Sequence, residues 1–201
     1  MNFKTLSIII PAYNEEKTIH FILDKVKAVK LNGELAKQVI IVNDCSSDDT
    51  KGAVEKYISA NSELNITYYE HEVNKGKGAA LHTGIKKAQG DLLIIQDADL
   101  EYDPEEYNDL LKPMLGGHAD VVYGSRFLGG NPHRILFYWH SIGNKLLTRW
   151  SNRFTNLNLT DMETCYKLFK TDIIQDMRLN ENRFGFEPEI TAKISRIKNI
   201  R

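Results

Sequence analysis

Short apolar runs alternate with amphipathic stretches along the first 124 residues of this chain. Five runs have the length and composition of strands, namely Leu6–Ile10, Val39–Val42, Ile66–Tyr69, Leu92–Ile95 and Asp120–Gly124. Helical spacing, caps or a Gly-rich turn predict four helices between them, near Glu15–Lys30, Lys51–Ala60, Gly78–Ala88 and Pro104–Leu115. Because strands and helices alternate and the strands are continuously apolar, we predict an α/β fold with a Rossmann-like, mostly parallel central sheet flanked by helices.

The rhythm changes after Gly124, where a Gly-Gly-Asn-Pro loop precedes a long helical stretch, Arg134–Phe154. Apolar residues recur along this stretch at helical spacing, at Ile135, Trp139, Ile142, Leu146, Trp150 and Phe154, with Lys145, Arg149 and Arg153 on another side. An amphipathic helix of this kind can lie in a membrane interface. Packing on the domain's own core is the commoner role of such a stripe, and we favour it here.

Composition places the chain among ordinary globular domains. Its 201 residues are 42% hydrophobic and 26% charged, which is enough to build one substantial core. The formal net charge of −1 gives no general attraction to nucleic acid, so we expect no nucleic-acid partner. Cys45 and Cys165 are the only cysteines, too few for a disulfide framework. The sequence shows neither a signal-peptide pattern nor a run of ~18 apolar residues, and it predicts a soluble, cytoplasmic protein.

The most informative chemistry follows the fourth apolar run, in DLLIIQDAD (Asp91–Asp99). Asp97 and Asp99 bracket the small Ala98 at the point where a buried strand would end, and ligands of α/β proteins gather at that edge of the sheet. Mg²⁺ and Mn²⁺ commonly bind one or two carboxylates together with substrate phosphates. A metal site for a phosphorylated ligand is therefore one interpretation, and an ordinary turn is the other.

The ends of three other runs carry groups that suit a nucleotide. Tyr13, in Pro11-Ala12-Tyr13, offers a flat face to a nucleobase, and Asp44 offers a carboxylate to a base N–H, although both segments would also serve as helix caps. The segment Asn74–Ala80 combines glycines with Lys77, which suits a phosphate at a helix start. A Walker loop and a Rossmann glycine fingerprint are both missing, which disfavours nicotinamide binding.

These motifs occur in an order that resembles a known family. PAYNEE, VNDCSSDDT, NKGKGAAL and DAD together resemble the family-2 inverting glycosyltransferases, which have the glycosyltransferase-A fold. GSRF (Gly124–Phe127) and DMETCYKLF (Asp161–Phe169) are similar to the branch of dolichyl-phosphate mannosyltransferase and its bacterial polyprenyl-phosphate relatives. The chain differs from the usual family pattern at two places. It has Asn43-Asp44-Cys45-Ser46 where members usually have Asp-Asp-Gly-Ser, and Glu101 where many have Gln. Glu101 would either add a third carboxylate on the metal side or start a helix.

The resemblance implies roles for particular residues. It implies that Asp97 and Asp99 hold Mg²⁺ or Mn²⁺ on the diphosphate of a nucleotide sugar. The donor-binding set that we predict is Pro11, Ala12, Tyr13, Glu15, Asp44, Lys77, Asp97 and Ala98. The metal and Lys77 would offset the charge that develops on the departing diphosphate.

The acceptor decides which further groups the reaction needs. A phosphate acceptor, whose second pKa is near ~6, is already an anion at neutral pH and needs cations more than a base. In the dolichyl-phosphate branch arginines bind that phosphate, a role that passes here to Arg126 and Arg134. A sugar hydroxyl would need a general base. Asp161 is the best candidate for that base, and a structural partner of Arg126 is its other interpretation. The predicted catalytic residues are thus Asp99, Arg126 and Asp161.

The predicted protein is a single domain, 1–201, with a nucleotide-sugar part at 1–124 and an acceptor part at 125–201. The predicted reaction moves a hexose from a GDP-mannose or UDP-glucose type of donor to a polyprenyl phosphate. A saccharide hydroxyl as acceptor, or a non-catalytic nucleotide-sugar-binding module, remain alternatives. Members of the family usually continue beyond the point that corresponds to Arg201, some into transmembrane helices, so a chain that stops short is expected. Possible partners are a membrane subunit or, in a homo-oligomer, a second copy of the chain, and a possible location is the inner face of the cell membrane. The segment Glu187-Pro188-Glu189 would either face the sugar or simply start a helix.

Overall fold

A six-stranded, mostly parallel sheet forms the centre of the protein, as the pattern predicts. The computed structural model describes residues 3–127 and 137–201. The strands are β1 (Thr5–Ala12), β2 (Ala36–Asn43), β3 (Ile66–Glu70), β4 (Leu92–Ile95), β5 (Val121–Tyr123) and β6 (Lys167–Lys170). Their order in the sheet is β3-β2-β1-β4-β6-β5, and β6 alone runs antiparallel to its neighbours.

Helices flank the sheet, and those that precede β6 lie near the predicted places. They are α1 (Ile19–Ala28), α2 (Thr50–Ala60), α3 (Lys77–Lys87), α4 (Tyr107–Leu115), α5 (Tyr138–Thr155), α6 (Thr171–Gln175) and α7 (Phe186–Ile194), with 3₁₀ turns at Asn32–Glu34 and Pro104–Glu106. The first helix starts later than predicted, because the backbone carbonyl of Glu15 accepts hydrogen bonds from the N–H groups of Thr18 and Ile19 and closes a turn ahead of it.

The sheet separates two apolar cores. Alternation along β1 sends Leu6, Ile8 and Ile10 to one face and Ile9 to the other. Helices α1, α2 and α4 supply the side chains that cover the first face, while α3, α6 and α7 cover the second. Since both faces are covered, the central strands β1, β2 and β4 are largely buried, whereas the edge strands β3 and β5 are half-buried. Ligands have access at the edge where the parallel strands end.

Strand β6 is an element that the pattern did not predict. Lys167–Lys170 contains only two apolar residues between two lysines, which is too short to show a strand period. It pairs with β4 through Leu93 and Phe169 and with β5 through Val122 and Leu168. The segment that follows Asp161 therefore returns to the sheet and separates β4 from β5.

The apolar stripe of α5 faces away from the domain, so the expectation that it packs on the core is wrong for the described residues. Trp139 and Phe154 are 77% and 79% exposed, and Trp150 is 53% exposed. Thr148 is the buried residue of this helix. None of the helices in the described ranges has the length and hydropathy to cross a membrane.

Candidate active site

One cleft of about 410 Å³ opens where β1, β2 and β4 end and α3 begins. Its walls contain nine residues predicted for the donor and the metal: Pro11, Ala12, Tyr13, Glu15, Asp44, Lys77, Asp97, Ala98 and Asp99. Five further residues line it: Asn74, Gly76, Ala80, Arg183 and Phe184. Residues far apart in the sequence meet here because parallel strands end at one edge of a sheet.

The aromatic wall of the cleft is a tightly held turn. Tyr13 is 51% exposed, so its ring is available to a ligand. The next residue, Asn14, has a positive φ of 59°, and its side-chain oxygen accepts a hydrogen bond from the Ser47 N–H at 2.8 Å. The N–H of Asn14 in turn donates to Oγ of Ser46 at 2.9 Å. These bonds join the end of β1 to the loop after β2 and hold Tyr13 at the rim.

Asp44 organises the loop that starts α3. Its carboxylate accepts hydrogen bonds from the N–H groups of Lys75, at 3.0 Å, and Gly76, at 2.6 Å, while His71 Nδ1 lies 2.6 Å from Oδ1. The residue is only 3% exposed. Most of its acceptor capacity is thus occupied within the protein, and its main effect is to fix the loop from Asn74 to Lys77.

Lys77 is committed to the acidic pair. Its Nζ lies 2.6 Å from Oδ1 of Asp97 and 3.0 Å from Sγ of Cys165. Burial works against the charged ammonium, but the contacts with Cys165 and Asp97 outweigh it, and the pKa of Lys77 lies well above its usual value. The first residue of α3 therefore brings a permanent positive charge to the floor of the cleft.

The carboxylates of the cleft suit a hard divalent cation. Burial raises the pKa of Glu15, and repulsion from the carboxylates of Asp99 and Asp97 adds to the effect. Lys77 contacts Oδ1 of Asp97, and the N–H of Glu101 donates to Oδ1 of Asp99. Within the described ranges, the Oδ2 atom of each aspartate accepts no hydrogen bond and is free to bind a cation. Among the residues of those ranges, no group of three or more His, Cys, Asp or Glu side chains is arranged to hold a metal ion.

Arg126 and Asp161 form a fork-to-fork ion pair beside the cleft. Arg126 donates from Nε to Oδ2 at 2.7 Å and from Nη2 to Oδ1 at 2.9 Å, and its backbone N–H also binds Oδ2. Asn144 of α5 donates to Oδ1 at 3.0 Å. Burial acts to raise the pKa of Asp161, but the bonds from Arg126 outweigh it and the pKa lies below its usual range.

This geometry bears on the roles that the sequence left open. A carboxylate with a lowered pKa and four hydrogen-bond donors is a poor general base, so pairing with Arg126 is the role of Asp161 that the geometry supports. Nη1 of Arg126 also lies 3.6 Å from a carboxylate oxygen of Glu101, whose backbone N–H binds Asp99 at 3.0 Å. Glu101 therefore links Arg126 to the acidic pair. Arg134 lies outside the described residues.

Gln96 is a structural residue of the site that sequence reasoning missed. Its side-chain amide donates to the backbone carbonyls of Asp97, at 2.9 Å, and Tyr102, at 3.2 Å. Its carbonyl oxygen accepts from the hydroxyls of Tyr107 and Tyr166. The residue is fully buried, so these four bonds set the path of the backbone that carries the acidic pair. A polar residue directly after an apolar strand was the available signal.

Residues 186–189 (FEPE) form the start of α7, where Phe186 and Glu187 are buried. Glu187 forms an ion pair of 2.5 Å with Lys167, which is fully buried. The Glu189 carboxylate accepts hydrogen bonds from the N–H groups of Asn180 and Glu181, each at 2.9 Å. The segment thus begins a helix, as one interpretation held, but its carboxylates are engaged inside the protein.

Comparison with known proteins agrees with this reading of the motifs. The model of the family described as "Glycosyl transferase family 2" matches residues 7–178. A dolichyl-phosphate beta-glucosyltransferase of Trichomonas vaginalis is 31% identical over 96% of this chain and 62% of its own length. A dodecaprenyl-phosphate galacturonate synthase of Rhizobium johnstonii is 25% identical over 94% of this chain and 54% of its own. The chain thus spans little more than half the length of these curated relatives.

A solved structure shares the fold. The mannosyltransferase PcManGT of Pyrobaculum calidifontis, in complex with GDP-Man and Mn²⁺, superposes with a TM-score of 0.68 at 20% identity, over 99% of this chain and 54% of that one. The expected glycosyltransferase-A fold is therefore confirmed. With more than half of its length matched by the family model, the chain belongs to glycosyl transferase family 2.

Proposed function

We propose that this chain carries the catalytic part of an inverting, metal-dependent glycosyltransferase that moves a hexose from a nucleotide-diphosphate sugar to a polyprenyl phosphate. The donor would be of the GDP-mannose or UDP-glucose type, and the acceptor dolichyl or undecaprenyl phosphate. The observation that carries the proposal is a continuous set of contacts, Asp99–Glu101–Arg126–Asp161–Asn144, that ties the cleft to α5. The relatives named for dolichyl-phosphate and dodecaprenyl-phosphate chemistry support the same acceptor class.

The cleft supplies each part of a donor site. In this proposal Tyr13 stacks on the nucleobase, and Pro11, Ala12, Glu15 and Ala98 shape the nucleoside pocket. Asp44 acts mainly by fixing the loop from Asn74 to Lys77, whose glycines permit close approach of phosphate. Asp97 and Asp99 would hold Mg²⁺ or Mn²⁺ on the diphosphate, where it neutralises the charge of the leaving group.

The reaction then needs positioning more than proton transfer. An acceptor phosphate oxygen attacks the anomeric carbon from the side opposite the donor phosphate, which inverts the configuration. The bond between that carbon and the donor phosphate oxygen breaks, and its electron pair leaves with the nucleoside diphosphate. Because the acceptor phosphate is already largely an anion at neutral pH, no general base is required. Arg126, with Arg134 as a second cation, would bind the acceptor, and Asp161 would act through Arg126 as a positioning residue.

Helix α5 gives the acceptor side an apolar surface. Three of its polar residues face the domain: Asn144 donates to Asp161 at 3.0 Å, Thr148 accepts from the Met162 N–H at 3.1 Å, and Asn152 accepts from the Leu159 N–H at 3.0 Å. Its aromatic side chains point the other way. A helix with an exposed Trp and Phe face, flanked by basic residues, is suited to lie in the interface of a lipid bilayer. The lipid tail of the acceptor would then remain in the membrane while Arg126 holds its phosphate.

Release of nucleoside diphosphate tests the donor half of the proposal. The chain is incubated with GDP-mannose or UDP-glucose, with Mn²⁺ or with EDTA, in the presence of undecaprenyl phosphate. We expect release that requires Mn²⁺ and is reduced at least about a hundredfold in Asp99→Asn. Asp109→Asn, an exposed carboxylate on α4, is the matched control and should leave release unchanged. Donor binding without any metal-dependent release would instead identify a non-catalytic binding module and overturn the proposal.

Flotation with vesicles tests the acceptor half. We expect the chain to float with vesicles of phosphatidylcholine and phosphatidylglycerol, and a double variant, Trp139→Glu with Trp150→Glu, to lose this binding. Phe21→Glu on α1, where the side chain is also 51% exposed, is the control and should float normally. Wild-type protein that stays off the vesicles but forms a dimer abolished by the double variant would show that α5 binds a second copy.

A further inference from the structure

Two residues of the C-terminal part reach the donor cleft. Arg183 and Phe184 line it together with the ends of β1 and β4, although both belong to the turn that precedes α7. Phe184 is 89% exposed. We refer to residues 180–184 as the α7 arm. The cleft is therefore shared between the two parts of the chain rather than confined to the first 124 residues.

The α7 arm packs against the loop from Asn74 to Lys77 and the first turn of α3. The N–H of Ala79 donates to the backbone carbonyl of Asn182 at 3.0 Å. A Cβ on Gly76 would lie 2.6 Å from that same carbonyl oxygen, and a Cβ on Gly78 would lie 2.5 Å from the carbonyl oxygen of Glu181. Both glycines are thus required for contact with the arm, and Gly76 also has a φ of +97°.

The other side of the arm is braced by α7. The carboxylate of Glu189 accepts the N–H groups of Asn180 and Glu181 at 2.9 Å and pairs with Lys193 at 2.7 Å. Because hydrogen bonds hold the backbone of the arm from two directions, the backbone of Arg183 is held at the cleft, while its side chain is exposed.

The charges of the cleft show what Arg183 would bind. The acidic residues that line the cleft are Glu15, Asp44, Asp97 and Asp99. Among the described residues, its cationic side chains are Lys77 and Arg183. Lys77 is engaged by Asp97. Within the described ranges Arg183 forms no ion pair, so its guanidinium is available to a ligand. Once it leaves the sugar, the nucleoside diphosphate carries more negative charge than one divalent metal neutralises, and a guanidinium can donate two hydrogen bonds to phosphate.

We propose that Arg183, whose side chain starts beside Gly76 in the loop that ends at Lys77, binds the diphosphate of the donor. This assignment rests on the proposed donor site and extends it to a residue of the acceptor part. Lys77 and the acidic pair would then hold the diphosphate together with Arg183. Donor binding would join the two parts of the chain.

Calorimetric titration with GDP and UDP, in the presence of Mn²⁺, tests the assignment. We expect Arg183→Gln to weaken diphosphate binding about tenfold or more, and Arg183→Lys to restore part of the loss. Arg178→Gln, an exposed arginine in the same C-terminal part, is the matched control and should bind as the wild type does. Guanosine and uridine, which lack phosphate, should bind wild type and Arg183→Gln equally, an outcome that a general structural role would not produce.

The outcomes separate the two proposals. Diphosphate binding by Arg183→Gln within twofold of the wild type would overturn the role of Arg183 and leave the donor site standing. An equal loss for nucleosides and diphosphates would show that Arg183 only maintains the cleft, and would also overturn the assignment. Failure of the wild type to bind either diphosphate would reject the donor site itself.

Discussion

Nζ of Lys77 lies 2.6 Å from Oδ1 of Asp97, which joins the first turn of α3 to the acidic pair after β4. This ion pair orients the Asp97 carboxylate and places a positive charge where the diphosphate would leave. We predict that Lys77→Met lowers turnover at least about a hundredfold, because an aligned cation acts on charge that develops in the transition state. Lys75→Met removes an exposed lysine of the same loop and is the control. Turnover of Lys77→Met within threefold of the control would contradict this role.

Cys45 occupies a backbone conformation that favours glycine. Its φ is +59°, in the left-handed region, at the position where family members usually have Gly. We predict that Cys45→Gly raises the free energy of unfolding by about 0.5–1 kcal/mol relative to Cys45→Ala, because both variants lose the thiol but only glycine relieves the strain. Urea unfolding measures the difference. Equal stability of the two variants would show that the strain is relieved in another way.

Gln96 holds the backbone of the acidic pair from inside the core. We predict that Gln96→Leu lowers the free energy of unfolding by about 3 kcal/mol, because it leaves two tyrosine hydroxyls and two carbonyl groups without their buried partner. Gln89→Leu changes an exposed glutamine and should cost less than about 0.5 kcal/mol. Chemical unfolding of both variants provides the test, and similar stabilities would argue that the Gln96 bonds are replaceable.

Asp120 makes stability depend on pH below the physiological range. Hydrogen bonds from Lys170 and Arg201 lower the pKa of Asp120 to about 2. A lowered pKa in the folded state stabilises the fold above about pH 4, where the unfolded residue is ionised, and this contribution is lost as pH falls toward 2. We predict that Asp120→Asn costs about 1–2 kcal/mol at pH 7, and that its difference from wild type shrinks between pH 4 and pH 2. Asp176→Asn, an exposed carboxylate, should show no such trend.

The donor cleft could be predicted because its residues follow a simple rule of topology. Tyr13, Asp44 and Asp97 each come within three residues of the end of an apolar run, and parallel strands bring their ends to one edge of the sheet. The period of the runs and the residues that end them are both visible in the sequence. The same rule could not find Arg183, because the α7 arm reaches the cleft through backbone contacts with Gly76 and Gly78 rather than through a strand end.

The orientation of α5 shows a second limit of sequence patterns. The spacing of Trp139, Trp150 and Phe154 shows that one side of the helix is apolar, but it does not show which side meets the domain. Asn144 and Thr148 decide this by bonding to Asp161 and to the Met162 N–H. Those partners lie in a segment whose return to the sheet, as β6, the sequence did not reveal.

Transfer of labelled hexose to lipid directly measures the proposed reaction with a polyprenyl phosphate acceptor. Wild-type protein is mixed with labelled GDP-mannose or UDP-glucose, Mn²⁺ and vesicles that contain undecaprenyl phosphate, and the label extracted into organic solvent is counted. We predict lipid-linked label that disappears in Arg126→Ala, whereas Asp161→Asn, which weakens the hold on Arg126 without removing it, keeps measurable transfer. Label that appears on a saccharide hydroxyl instead, with Asp161→Asn inactive and Arg126→Ala active, would contradict the account.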